Sequence, residues 1–143
     1  MMLRVLPILV TVRQVMEPVV AVSSDHTVSQ ALNQMIKAEV WSLLIERQGL
    51  PVGVVTDRDI LIRCVARGRS PDKVNVEEIM SSPLITIESD IRAGEALHTM
   101  IEKHVRRLYV VDQGKVIGRV TQTGLSTNLL DAMISLASIR QML

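Results

Sequence analysis

The chain repeats itself, and that repeat limits the folds open to it more than any other feature. Pro18, Asp25, Ala31, Leu32, Met35 and Ile36 recur as Pro83, Asp90, Ala96, Leu97, Met100 and Ile101. Val40, Leu43, Gln48, Gly49, Gly53, Val55 and Thr56 recur as Val105, Leu108, Gln113, Gly114, Gly118, Val120 and Thr121. The register is a shift of about 65 residues, held without a gap from Pro18 through Ile60. Upstream of it, Thr11, Gln14 and Met16 are mirrored by Asn75, Glu78 and Met80. Chance does not produce matches in helices, strands and turns together.

Within each copy the patterns are local. Thr11 and Gln14 have capping-box spacing, which predicts a single capped turn closed by Pro18. Val19 to Val22 read as a strand, and Asp25 and Thr27 are both plausible helix caps. Val28, Ala31, Leu32, Met35 and Ile36 form one apolar helical stripe. Ser42 to Ile45 and Val52 to Thr56 read as strands joined by a Gln48-Gly49 hairpin turn. Ile60, Leu61, Cys64 and Val65 then recur at helical spacing, and Gly68 offers a stop. Each half is therefore ordered strand–helix–strand–strand–helix. A half of roughly 60 residues buries too little surface to be comfortable alone. The expected fold is α/β (α+β): two β-α-β-β-α repeats, at 11–70 and 75–140, packed sheet to sheet about a pseudo-two-fold axis. Such packing would leave two related clefts between the halves, a favoured kind of ligand site. Arg67 to Pro71 reads as a linker, and residues 1–10 as an N-terminal apolar arm or strand.

Composition narrows the function. Phe is absent, and Trp41 and Tyr109 are the only aromatics, so base-stacking surfaces for single-stranded nucleic acid are disfavoured. A net charge of +1 leaves no strong electrostatic footprint for DNA or RNA. Cys64 is the only cysteine and falls on an apolar helical face, as a structural thiol would. His26, His98 and His104 lack paired ligand spacing, so no metal site is expected. Met1 to Val10 are too few to span a bilayer, and no small-residue cleavage site follows; the default is a cytoplasmic protein. Leu125 to Leu143 are apolar around much of a helix, which suggests a homodimer interface.

The stretch Gly53 to Asp59 runs from a β-branched strand into the start of a helix. Free backbone N–H groups gather at such a junction and the helix dipole is positive there. It can hold a ribose and an anion, and it can equally do no more than cap the helix.

A tandem repeat of this order, with Gly-apolar-Val-Thr-x-x-Asp closing the first unit, resembles a pair of cystathionine β-synthase (CBS) domains, a Bateman module. The resemblance also rests on Val15-Met16-Glu17-Pro18 and Ile79-Met80-Ser81-Ser82-Pro83, which open the units, and on the Arg-containing strand Val105 to Asp112. It covers nearly everything from Val12 onward. It implies a non-catalytic sensor that binds AMP, ADP or ATP, or S-adenosylmethionine, between the units, with no required cofactor. By position it implies that Asp59 accepts from the ribose 2′- and 3′-hydroxyls, Thr56 binds phosphate with help from Arg58, and Val54 touches the base. From the second unit it brings Ser81, Pro83, Leu84, Ile85 and Thr86 around the base, with Val105 behind. One of Arg106 and Arg107 would face phosphate, because consecutive strand residues point to opposite faces.

The second motif departs from the pattern. Gly124 stands where the ribose aspartate belongs, Arg119 where an apolar contact is expected, and Trp41 and Ser42 replace the arginine pair. One good nucleotide site per chain is therefore expected, with the second weak or vacant. Trp41 is read as a core or interface residue. No nucleophile–base constellation is visible, so an enzyme is not expected. The alternative is an interaction scaffold whose cleft holds S-adenosylmethionine or nothing. An unidentified regulated protein is the implied partner, and neither membrane nor nucleic acid is.

Overall fold

Local side-chain chemistry sets most of the elements. The computed structural model describes residues 10–82 and 84–130. In chain order the elements are helix α1 (Val12–Val15), strand β1 (Ala21–Ser23), helix α2 (Val28–Ala38), strands β2 (Ser42–Arg47) and β3 (Leu50–Thr56) and helix α3 (Asp57–Arg63). A 3-10 turn (Val65–Arg67) precedes helix α4 (Val76–Ile79), strand β4 (Thr86–Glu88), helix α5 (Ala93–Lys103) and strands β5 (Arg107–Asp112) and β6 (Lys115–Thr121). Residues 122–130 are helical and are called α6. The expected apolar arm lies outside the described residues up to position 9, and the expected interface helix lies outside them from position 131. The elements form two compact units: Val19–Leu84, and the described residues up to Pro18 together with those from Ile85 onward. This mixed α+β architecture, with two three-stranded sheets, is the expected fold class.

The unit Val19–Leu84 is built on the sheet β1-β2-β3. β1 runs parallel to β2, with Ala21 opposite Leu44, and β2 runs antiparallel to β3, with Ser42 opposite Thr56. The β2–β3 hairpin turns through Gln48 and Gly49, both left-handed (φ 53° and 75°), the two-residue turn that matches strand twist. Thr27 starts α2: its hydroxyl accepts the Gln30 N–H at 3.1 Å, while Gln30 Oε1 accepts the Thr27 N–H at 2.8 Å. Val28, Ala31 and Met35 on α2 are fully buried against Leu43, Ile45 and Val55, and Ile60, Cys64, Val74, Val76 and Ile79 complete the core. Ile36 does not join them and is 65% exposed. One residue beyond Met35 is a rotation of about 100° round the helix, which carries the side chain off the buried face. Leu61 and Val65 are also exposed, so only Ile60 and Cys64 of that apolar series face inward. Cys64 is a buried thiol whose Sγ donates to the Arg69 carbonyl at 3.5 Å.

The other unit repeats this plan on the sheet β4-β5-β6. β4 runs parallel to β5, with Thr86 opposite Tyr109, and β5 runs antiparallel to β6, with Arg107 opposite Thr121. Its core is Val12, Ile87, Ala93, Ala96, Met100, Leu108, Val110, Val120 and Leu125. Ile101 is exposed like Ile36, for the same rotational reason.

Each opening turn therefore belongs with the sheet of the other sequence repeat. α1 packs with α5 and β6, and α4 packs with α3 and β3. The segment after each turn forms one backbone bridge to the last strand of that sheet. Val54 and Ser81 exchange N–H···O bonds of 2.9 and 2.8 Å, and Glu17 and Arg119 exchange bonds of 2.8 and 3.0 Å. This crossing explains two of the repeated glycines. A Cβ at Gly53 would lie 2.7 Å from Met80 Sδ and 2.8 Å from the Ser81 carbonyl oxygen. A Cβ at Gly118 would lie 2.5 Å from Met16 Sδ and 3.1 Å from the Glu17 carbonyl oxygen.

Gly53→Ala should accordingly lower unfolding free energy by about 1–3 kcal/mol, the usual cost of overpacking. Gly94→Ala in α5, where nothing lies within 4 Å of the new Cβ, should be neutral or stabilise by up to about 1 kcal/mol. Urea unfolding of the two variants checks the contrast. A pH dependence follows at α4. The Asn75 N–H and then the Arg69 guanidinium hold the Glu78 carboxyl below its usual value. A carboxyl with a depressed folded-state pKa contributes stability above its unfolded pKa and loses it as pH falls through the folded one. Glu78→Gln should therefore lower the urea midpoint at neutral pH, and the deficit should vanish in acid.

Candidate functional site

The β3–α3 junction is organised by one carboxylate. Thr56 ends the strand, and its hydroxyl oxygen accepts the Asp59 N–H at 3.2 Å. Asp59 Oδ2 accepts in return from the Thr56 N–H at 2.9 Å and the Thr56 hydroxyl at 3.1 Å. Asp59 Oδ1 accepts the Ser81 hydroxyl at 3.2 Å and lies 3.8 Å from Arg63 Nη1. Arg63 also donates to the carbonyls of Ile79 and Met80 at 2.9 and 3.1 Å, so it ties α3 to the segment that carries Ser81. The Asp59 side chain is only 13% exposed, and its charge is held by these donors.

This geometry limits what Asp59 can accept. A carboxylate oxygen takes about two hydrogen bonds. Both positions on Oδ2 are used by Thr56, and one on Oδ1 is used by Ser81. Among the described residues the other position on Oδ1 takes no hydrogen bond, and the Arg63 guanidinium stands 3.8 Å from that oxygen. The junction thus caps its helix in full and keeps room for one further donor. A second donor, such as the other hydroxyl of a ribose, needs the Ser81 or Thr56 hydroxyl to turn away.

The remaining expected site residues fall in both units. Val54 is half-buried and bridged to Ser81, Arg58 is exposed in the first turn of α3, and Leu84 is half-buried. Ser81, counted with the second repeat in the sequence, belongs to the same unit as Asp59 because its segment bridges β3. Pro83 lies outside the described residues. Ile85, Thr86, Val105, Arg106 and Arg107 belong to the other unit. There Ile85 accepts the Tyr109 N–H at 3.0 Å, Thr86 is exposed at the head of β4, and the Val105 N–H donates to Met100 at 3.0 Å. Arg106 is exposed beside a groove of about 310 Å³ that Ile101, His104 and Gln122 also line, and Arg107 is half-buried opposite Thr121. A second groove, of about 430 Å³, runs along the β1 edge past His26, Gln30 and Asn33. Neither includes Thr56 or Asp59.

The second motif keeps half of the cap. Thr121 Oγ1 accepts the Gly124 N–H at 3.0 Å, and no side chain at 124 answers it. Arg119 is 8% exposed and forms an ion pair with Glu17, Nη2 to Oε2, at 3.5 Å. The sequence reading missed both Arg63 and Glu17. Arg63 carries a local signal, since it follows Asp59 by one helical turn. Glu17 carries none. Trp41 is 58% exposed, which removes the core half of its core-or-interface reading: its backbone carbonyl is tied to the Asp57 N–H at 3.2 Å while the indole stays outside. Among the described residues, no group of three His, Cys, Asp or Glu side chains could hold a metal, and no helix is long and apolar enough to cross a membrane.

Comparison with known proteins agrees with this fold. The CBS domain model matches residues 12–65 and again 76–131. The CBS domain-containing protein YhcV of Bacillus subtilis is 33% identical over 110 residues, covering 77% of this chain and 78% of YhcV. Uncharacterized protein MK0525 of Methanopyrus kandleri is 42% identical over 80 residues, covering 55% of this chain. That match spans only 41% of MK0525's own length. Among solved structures, a putative signal-transduction protein with CBS domains from Burkholderia ambifaria has a TM-score of 0.80 at 28% identity, covering 85% of this chain and 94% of that one. Proteins built on a CBS pair are commonly regulatory modules and typically non-catalytic. With both sequence repeats matched and the fold shared along most of its length, this chain belongs to the CBS domain family, of which it carries two copies.

Proposed function

We propose that this chain is a non-catalytic regulatory module that binds an adenine nucleotide at the Thr56–Asp59 junction and reports energy state to a partner protein. The observation that carries the reading is the acceptor position on Asp59 Oδ1 that takes no hydrogen bond among the described residues, on a carboxylate whose orientation is already fixed. A fixed acceptor binds a hydroxyl without first losing conformational freedom. In this reading Asp59 takes a ribose hydroxyl, Thr56 and Arg58 meet phosphate, and Val54, Ser81 and Leu84 lie along the nucleoside. AMP, ADP and ATP share the groups these residues would recognise, and S-adenosylmethionine shares the ribose. Binding signals only if affinity differs between two arrangements of the protein.

A second reading is favoured by a different observation. Asp59 already satisfies its own helix start and the Ser81 hydroxyl, so the motif has a complete structural role as it stands. The protein would then be an interaction scaffold without a nucleotide. In either reading we infer a homodimer, supported by Leu61 and Val65, one helical turn apart and 59% and 53% exposed, with Ile62 beside them at 47%.

Calorimetric titration with AMP, ADP, ATP and S-adenosylmethionine separates the two readings. Wild type should bind one of them at about one per chain, and Asp59→Ala should lose ten- to a hundredfold in affinity, about 1.5–3 kcal/mol. Asp59→Ala should also lose about 1 kcal/mol of stability with its cap, so its urea midpoint must be recorded alongside. Undiminished affinity in a folded Asp59→Ala would refute the ribose contact, and silence from all four compounds would favour the scaffold. Leu61→Glu with Ile62→Glu should shift the sedimenting species from dimer to monomer; an unchanged dimer would place the interface elsewhere.

A further inference from the structure

The two motifs are built on the same backbone, and they place their carboxylates by opposite routes. Glu17 bridges Arg119 as Ser81 bridges Val54, and Thr121 stands to Gly124 as Thr56 stands to Asp59. In the first motif the helix supplies the carboxylate and the opening segment supplies a hydroxyl. In the second, the helix position is a glycine and the opening segment supplies the carboxylate. The point where a Cβ on Gly124 would lie is 3.2 Å from Glu17 Oε1 and 2.9 Å from Thr121 Oγ1. The Glu17 carboxylate therefore crowds the place where an aspartate side chain would start.

We propose that Glu17, half-exposed, and Arg119, buried behind it, form a plug at the mouth of the second motif that closes it to an adenosine ligand. Glu17 Oε2 pairs with Arg119 Nη2 at 3.5 Å, and the Arg119 side chain is only 10% exposed. A ribose hydroxyl competing for Glu17 would have to share that carboxylate with the Arg119 guanidinium already set against it. Arg119 also stands where the first motif offers the apolar Val54. The second motif is thus filled by the chain itself, and Glu17 decides that one motif of the two is open. This rests on the adenine-nucleotide reading for the identity of the ligand; the plug is a property of the protein alone.

Two measurements test it, and the first needs no ligand. Gly124→Asp should lower the urea midpoint sharply in the wild-type background, where the new side chain meets Glu17. It should lower it much less in a Glu17→Ser, Arg119→Val background, which copies Ser81 and Val54. Equal or larger losses in the second background would overturn the plug. The second measurement is ATP and AMP stoichiometry. Wild type should bind one per chain and the Glu17→Ser, Arg119→Val, Gly124→Asp variant two, with one of the two surviving Asp59→Ala. Two sites in wild type, or one in the folded triple variant, would overturn the proposal. Absence of any binding to wild type would defeat the nucleotide reading instead, and the urea comparison would still decide the plug.

Discussion

The structure depends on a close crossing of backbone over glycine. At Gly53 and Gly118 the segment after each opening turn approaches the last strand of a sheet with no space for a Cβ. The paired backbone bonds at Val54–Ser81 and Glu17–Arg119 are possible only at that range. Once they form, Met80 and Met16 lie against their respective cores, and Ser81 and Glu17 are aimed at the helix starts. The candidate chemistry of both motifs follows from this geometry. A residue one position away on either opening segment would not reach Asp59 or Arg119.

From that shared frame the two motifs diverge by a few side chains. Asp59 with Ser81 makes a cap that still has an acceptor to offer. Gly124 with Glu17 makes a half-cap beside an ion pair whose arginine is buried and whose glutamate is half-exposed. An ion pair between two exposed groups contributes little; here the arginine is withdrawn from water, which fixes where its glutamate partner sits. Duplication supplied two equivalent frames, and the place each carboxylate comes from, helix in one and opening segment in the other, distinguishes them.

Much of this was legible in the sequence, for reasons specific to each element. The hairpins were legible because Gln48-Gly49 and Gln113-Gly114 fit a turn that needs two left-handed residues. The core stripe of α2 was legible from Val28, Ala31 and Met35, while Ile36, Leu61 and Val65 were counted with buried neighbours although they face outward. Spacing alone places the centre of an apolar stripe better than its edges. The Thr56–Asp59 cap could be read because its partners are local. The contacts of Ser81 with Asp59 and of Glu17 with Arg119 could not, because nothing in a one-dimensional pattern says which sheet a crossing segment will bridge; Ser81 entered the site only through the family resemblance.

The membership of α1 has a consequence for the order of assembly during translation. Of the described elements α1 leaves the ribosome before the others, yet Val12 is buried in the core that also contains Leu108, Val120 and Leu125. It must therefore wait, undocked, while nearly all of the described chain is made. The unit Val19–Leu84 suffers no such delay, because α4 follows its own sheet directly. The described part of the chain is thus finished from its middle outward, and α1, made before the other described elements, is among the last of them to dock.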